Sequence, residues 1–211
     1  RTVGYLWIST DYCMQETPMV YAMLTVMNSS VIDLCLLKEK DSLVEKLDSM
    51  YVRDELTKLY NRFGMRRYVE KILQVAKRDG KHIMCIEMDL DGLKRINDTY
   101  GHDAGDNAIV QIANAMRQAS ERREVCIRSG GDEFLVFGIA EKESDARSFI
   151  RRVEDCLDEY NSRNQWPYQV ACSCGYYVRR ASEINSLEEM VTEADKLLYM
   201  VKARRRTTRT S

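Results

Sequence analysis

Residues 128–134 read RSGGDEF, and residues 88–108 read MDLDGLKRINDTYGHDAGDNA. The first stretch sets Asp132 and Glu133 directly behind Gly130 and Gly131. The second sets Asp89 at the end of an apolar run, HIMCIEMDL. A glycine pair supplies the positive φ of a tight turn and acids solvate it, so a polar hairpin is the plain expectation for RSGGDEF alone. The two stretches together imply more. An acid at the end of a buried strand points to the mouth of its sheet, and a hairpin of the same sheet carries Asp132 and Glu133 beside it. Carboxylates crowded into one small volume repel each other unless a cation sits among them. Hard oxygen donors select Mg²⁺ or Mn²⁺ over zinc, and such an ion with room for water suits phosphate chemistry. Asp89, Asp132 and Glu133 therefore point to a metal-dependent nucleotide site.

The elements that must position these acids alternate along the chain. A helix is expected over Met65–Arg78, then the strand HIMCIEMDL, a short helical piece LKRIND and a longer helix DAGDNAIVQIANAMRQA. EVCIRS and EFLVFGIA flank the glycine turn as strands. A helix SDARSFIRRVEDCLDEYN, a strand YQVACSCGYYV and a closing helix SLEEMVTEADKLLYMVKARR follow. The tight hairpin makes the sheet mixed rather than all-parallel. The expected fold is α+β, a ferredoxin-like palm with helices packed on the sheet, preceded by a helical stalk.

Upstream, GYLWIST alternates like a strand and Met19–Leu37 is apolar with a helical period. Leu36, Leu43 and Met50 recur at a seven-residue step with Leu47 beside them, the pattern of a short coiled coil or of a plain amphipathic helix. Residues 1–40 read as the tail of an upstream sensor domain, 41–53 as a helical linker and 54–211 as the domain that carries the acids. The start at Arg1 rather than Met suggests a fragment of something longer.

Composition narrows the class. In 211 residues the charged fraction is 31% and the formal net charge is -1, so no basic field argues for nucleic acid. No apolar run is long enough to span a bilayer, and there is no signal peptide. The seven cysteines include no CxxC pair, and Cys85, Cys126, Cys172 and Cys174 fall in apolar strand-like runs. They read as small buried hydrophobes in a reducing compartment, which makes a cytoplasmic location the expectation.

Five motifs carry a resemblance: DELTKLYNR at 54–62, DLDGLKRINDTYGHDAGD at 89–106, RSGGDEF, CSCGYY at 172–177 and ADKLLYMVK at 194–202. In this order they resemble the GGDEF family of diguanylate cyclases over about residues 51–206. The resemblance implies a bacterial signalling enzyme that joins two GTP into cyclic di-GMP and releases two pyrophosphates. Two such domains face each other as a homodimer, so dimer geometry set by an upstream sensor is the natural control point. It implies two divalent ions per site, Mg²⁺ or Mn²⁺, on Asp89, Asp132, Glu133 and the carbonyl of Leu90. Asn97 and Asp106 match the pair that reads guanine, and Lys94 matches a phosphate contact next to Gly92 and Leu93. Lys202 and Arg206 match a basic pair on the γ-phosphate, while Gly130 and Gly131 let backbone approach the nucleotide. His102 stands near this set as a turn histidine, and Arg128 as a support of the hairpin.

Plainer roles exist for several of these. Asn97 also suits a helix end, Asp106 suits an early helical turn, and a basic helix C-terminus needs no ligand. The chain also departs from the family pattern. DGLK at 91–94 stands where many members have a D-x-F-K run, and Arg205 occupies the glycine position of a closing A-K-x-x-G-R, which is expected to disturb the helix end. Glu121 and Glu124 occupy the R-x-x-D positions of a product-inhibition site. A catalytically silent GTP-binding module is the alternative, and the intact acids argue against it. A relaxed cyclase making mixed dinucleotides is a third, and Asp106 argues for guanine.

Overall fold

The computed structural model describes residues 31, 32, 34–40, 51–121, 124–163 and 166–209. The chain divides into two compact units, Arg1–Met50 and Tyr51–Ser211. In the first, residues 31, 32 and 34–40 are helical. The GYLWIST strand and the seam positions Leu43, Leu47 and Met50 lie outside the described residues.

The second unit begins where Val52 is buried and Arg53 bridges to Tyr60. Its elements are α1 (Arg62–Arg78), β1 (His82–Leu90), α2 (Leu93–Tyr100), α3 (His102–Ala119), β2 (Glu124–Arg128), β3 (Glu133–Ala140), α4 (Glu143–Arg163), β4 (Cys172–Arg180), a 3₁₀ turn (Ala181–Glu183) and α5 (Leu187–Arg209). α1 starts earlier than the apolar period suggests because Asn61 caps it. The Asn61 side-chain oxygen accepts from the N–H groups of Phe63 and Gly64 at 3.0 and 2.9 Å. α5 runs on through Arg205 to Arg209, so the arginine in the glycine position extends the helix instead of disturbing its end. Arginine is a good helix former and glycine a poor one.

The strand order is β2-β3-β1-β4, and all the ladders are antiparallel. The ferredoxin-like palm is therefore present, but its sheet is antiparallel and not mixed. The reason is topological. The crossover from β1 to β2 steps over β3, and the crossover from β3 to β4 steps over β1, so strands that run parallel are never neighbours. Among the described residues, Tyr60, just before α1, makes one isolated parallel bridge to Ile127 of β2.

β1 is buried on both faces, hence its nearly continuous apolar run. One face carries Met84, Ile86, Met88 and Leu90 against α3 and α4, with Ile112, Met116, Phe149 and Val153 in the contact. The other carries Ile83 and Cys85, with Leu135 and Phe137, against Val69 and Ala76 of α1 and Met190 and Ala194 of α5. Gly175 lets α5 lie directly on β4, since a Cβ there would meet Ala194 O and Leu198 N at 2.3 Å. Cys85, Cys126 and Cys172 are buried, and Cys172 and Cys174 share a strand face with their sulfurs 3.7 Å apart. Among the described residues, no helix is long and apolar enough to cross a membrane.

Candidate active site

Side chains alternate along β1, so Glu87 and Asp89 continue the face that begins with Ile83 and Cys85. Beyond the reach of the α1 and α5 core, that face turns polar. Asp89 sits opposite Glu133 on β3 and opposite Ser173 on β4. The Leu90 N–H donates to Asp132 O at 3.0 Å, which ties the end of β1 to the signature hairpin. A cleft with a volume of about 330 Å³ opens here, lined by Asp89, Leu90, Asp132 and Lys202, by Gly92, Leu93 and Lys94 at the start of α2, and by Asp91, Ser173 and Arg205.

The hairpin is closed from within. Ser129 N–H donates to Glu133 O at 3.0 Å, and Arg128 donates to the carbonyl oxygens of Gly130 and Gly131 through Nε and, to Gly131, through Nη2 at 2.9 Å. Arg128 Nη1 pairs with Asp54 Oδ1 at 3.1 Å. Asp54 in turn accepts from Thr57 N–H and Oγ1 at 2.8 and 2.6 Å. Burial pushes the Asp54 carboxyl up, but Thr57 and Arg128 outweigh it and hold it below its ordinary value. Arg128 is thus a hairpin support, and DELT is its anchor. The glycines act differently from the turn expectation. Positive φ falls at Gly80, Gly92 and Gly101, not at Gly130 or Gly131. Gly130 is needed because a Cβ would meet Glu133 Oε2 at 2.7 Å, and at Gly131 a Cβ would meet nothing within 4 Å. Gly92, at φ 77°, makes the left-handed step that starts α2 with no side-chain cap over its first N–H groups.

Charge in the cleft is balanced by α5. Lys202 Nζ meets Asp89 Oδ2 at 2.6 Å. Burial raises the Asp89 carboxyl above its ordinary value and Asp132 and Asp91 add to that, while Lys202 opposes them. Glu87 is pushed up to about 7, by burial first and then by Asp195, Glu133 and Asp89. Its Oε2 is buried and, among the described residues, has no hydrogen-bond partner. The expected convergence of three carboxylates is not what the structure shows. Among the described residues no three acid, histidine or cysteine side chains are grouped to hold a metal. Asp89 and Asp132 share the cleft, whereas exposed Glu133 leans over Gly130 and lines the neighbouring groove with Glu87. What remains, two carboxylates beside the main chain of Leu90, still fits a hard divalent ion that takes its other ligands from phosphate and water. The Lys202 ammonium occupies the position where that positive charge is favoured.

Asn97 and Asp106, the pair expected to read guanine, lie on the α2–α3 corner. Asn97 packs against Gly105, where a Cβ would meet its Oδ1 at 1.8 Å, and among the described residues this buried Oδ1 has no hydrogen-bond partner. Asn97 therefore does not use its side chain to cap a helix. Asp106 is exposed, past the first turn of α3, where Asp103 is the acid. Neither lines the acidic cleft. His102 is the exposed first residue of α3. Arg206 falls within α5, and its side chain is outside the described residues. Sequence reasoning missed Asp54, Ser173, Asp91 and Glu87 as parts of the site. The D-x-x-T spacing of a local capping turn was the available signal for Asp54, and strand alternation was the signal for Glu87 and Ser173.

Among solved structures, the diguanylate cyclase SiaD of Pseudomonas aeruginosa, determined with its activator SiaC, aligns at a TM-score of 0.76 and 26% identity, covering 96% of this chain and 78% of that one. The coiled coil and GGDEF domain of DgcB from Caulobacter crescentus, in complex with c-di-GMP, shares the fold at a TM-score of 0.70 and 23% identity, covering 84% of this chain and 94% of that one. Among curated proteins, the probable diguanylate cyclase DgcJ of Escherichia coli is 32% identical over 151 residues, 72% of this chain and 29% of its own length. The diguanylate cyclase DgcS of Shewanella oneidensis is 32% identical over 151 residues, 71% of this chain and 49% of its length. The chain thus spans half or less of these two curated relatives. The family model described as "Diguanylate cyclase, GGDEF domain" matches residues 51–208, the whole of the antiparallel palm and its acidic cleft, and the chain belongs to that family.

Proposed function

We propose that this chain is a diguanylate cyclase that condenses two GTP into cyclic di-GMP and two pyrophosphates. One observation carries the reading. The cleft that holds Asp89 and Asp132 also holds the open start of α2 at Gly92, Leu93 and Lys94, and the ammonium of Lys202. That is a binding surface for a polyphosphate next to a site for its counter-ion. Asp89, Asp132 and the Leu90 carbonyl, with Glu133 at the edge, would hold Mg²⁺ or Mn²⁺, two ions per site, which when bound polarise the α-phosphate and lower the pKa of the attacking hydroxyl.

The chain's own residues do the rest by positioning. The N–H groups at the start of α2 and Lys94 hold the phosphates. Lys202, drawn from Asp89 to the nucleotide, balances the charge of the leaving pyrophosphate, with Arg206 beyond it on the same helix. Asn97 and Asp106 accept from and donate to guanine, and adenine offers no matching N1–H donor. The 3′-oxygen of one GTP attacks the α-phosphorus of the other, and the bond to the bridging oxygen of pyrophosphate breaks. The hydroxyl proton leaves toward Glu133, which is exposed at the edge of the site. One domain holds one GTP, so turnover needs a homodimer, and an upstream sensor acting through residues 41–53 would set its geometry. The reading places the reaction in the cytoplasm, where GTP is available.

Purified chain with Mg²⁺ and GTP, over a range of protein concentrations, tests this by chromatography of the products. Cyclic di-GMP formed at a rate per molecule that rises with concentration is the expected result. GTP bound without product at any concentration would leave a silent module instead.

A further inference from the structure

Arg205 lines the cleft three residues after Lys202 on α5, so the two side chains leave the same helix face. Its Nη1 donates to Asp91 Oδ2 at 2.7 Å, to Ser173 Oγ at 3.0 Å and to Cys172 O at 3.2 Å. The anchor is itself rigid. Ser173 is fully buried and donates to Asp91 Oδ1 at 2.7 Å, and the Asp91 N–H donates to Ala171 O at 2.9 Å. One nitrogen of the guanidinium is therefore fixed to the ends of β1 and β4.

The other nitrogens are not used. A guanidinium carries five N–H donors in a flat fork. Among the described residues, Nε and Nη2 of Arg205 meet no acceptor. The side chain is 48% exposed and borders the same cleft as Lys94 and Lys202. Lys202 sits on Asp89, within the metal-binding acids. Arg205 is held from the side by Asp91, which the donor set leaves out. It can hence face an anion without giving up its own partner. A tethered fork loses little side-chain freedom on binding and meets two phosphate oxygens at once.

We propose that Arg205 is a phosphate-binding residue of this chain, donating from Nε and Nη2 to the terminal phosphates of the nucleoside triphosphate whose reacting end lies at Asp89 and Asp132. The resemblance leaves a glycine at this position, so this contact would be an addition to the family's basic pair. The inference rests on the GTP reading above.

Calorimetry on the full chain with α,β-methylene-GTP and with GMP tests it without turnover. Arg205→Ala weakens the triphosphate analogue by about tenfold or more and leaves GMP unchanged. Arg205→Lys keeps the charge, loses the fork and falls between. Unchanged binding of the triphosphate analogue by Arg205→Ala overturns the proposal. Equal weakening of both nucleotides also overturns it, since the arginine would then only hold Asp91 in place. If the unaltered chain binds neither nucleotide, the GTP reading itself fails and this inference with it.

Discussion

Asp89 and Glu133 are direct partners in the central β1–β3 ladder, so two acids face the same side of the sheet at adjacent backbone positions. Like charges set directly opposite each other in a ladder are unfavourable. Here the strain is relieved in different ways for the two. Asp89 takes the Lys202 ammonium at 2.6 Å, and Glu133 leans away over Gly130. A site held this way has a standing demand for positive charge, and that demand sets the first expectation.

Asp89→Asn should abolish cyclic di-GMP formation, lowering turnover by on the order of 10³-fold or more if phosphate charge is balanced there. Its folded-state carboxyl is raised, so ionising Asp89 costs the fold stability. Loss of that charge should leave the urea midpoint unchanged or higher despite the broken Lys202 pair. A large fall in the midpoint would assign Asp89 to structure.

Glu87 gives a pH dependence in metal-free protein. Its carboxyl rises from 4.5 to about 7 on folding, so the folded state binds more protons between these values. Stability is then fully present below 4.5 and declines as pH rises through the window to about 7. Because the group is only half buried, the effect should be on the order of 1 kcal/mol after screening. Glu87→Gln should remove the decline. Urea melts at pH 5 and pH 8 for both proteins check it.

Gly175→Val should destabilise by roughly 3 kcal/mol or more, because its side chain would enter the α5 backbone at Ala194 and Leu198. Backbone cannot rotate aside as a side chain does. A denaturation midpoint equal to that of the unaltered chain would contradict the contact.

Asp54→Ala should loosen the hairpin without touching the nucleotide, since Asp54 holds Arg128 and Arg128 holds the Gly130 and Gly131 carbonyls. Turnover should fall about tenfold from misplacement of Asp132 and Glu133. Nucleotide affinity should change less. Steady-state kinetics beside GMP binding separates the two effects.

Cyclic di-GMP should not inhibit this chain by binding at the R-x-x-D positions. Glu121 and Glu124 stand there, and the Glu124 carboxylate accepts from Ser120 Oγ and the Glu121 N–H at 3.1 and 3.0 Å. Titration calorimetry with cyclic di-GMP should show no tight site. Tight binding lost on changing Arg122 or Arg123 would sink the expectation.

Much of the fold was legible because period and turn chemistry agree along the chain. β1 is a nine-residue apolar run, and α3 carries a clear stripe. The antiparallel sheet was not legible as such, because neighbour relations depend on which strand each crossover steps over, and no local pattern records that. For the site, the residues Asp89 and Asp132 were readable from type and spacing. Their separation from Glu133 was not, since it depends on a side-chain direction set by Gly130. Ser173 was hidden for a similar reason: a serine between two cysteines looks like strand filler until pairing places it on Asp91. Arg205 looked like a defect in a motif. Only its contact with Asp91, 114 residues away in the chain, gives it a role.

The strand order also bears on when activity can first exist. β1, made early, lies at the centre of the sheet, and one of its flanks is filled only by β4. Lys202 and Arg205 come later still, on α5. Contacts this distant in sequence are slow to close and form late. During synthesis, a nascent chain that already displays RSGGDEF therefore has an open sheet edge at β1 and no cation over Asp89. Folding of the palm and assembly of the cleft should be one event, completed after α5 has left the ribosome, and until then the exposed β1 edge is where a chaperone would be needed.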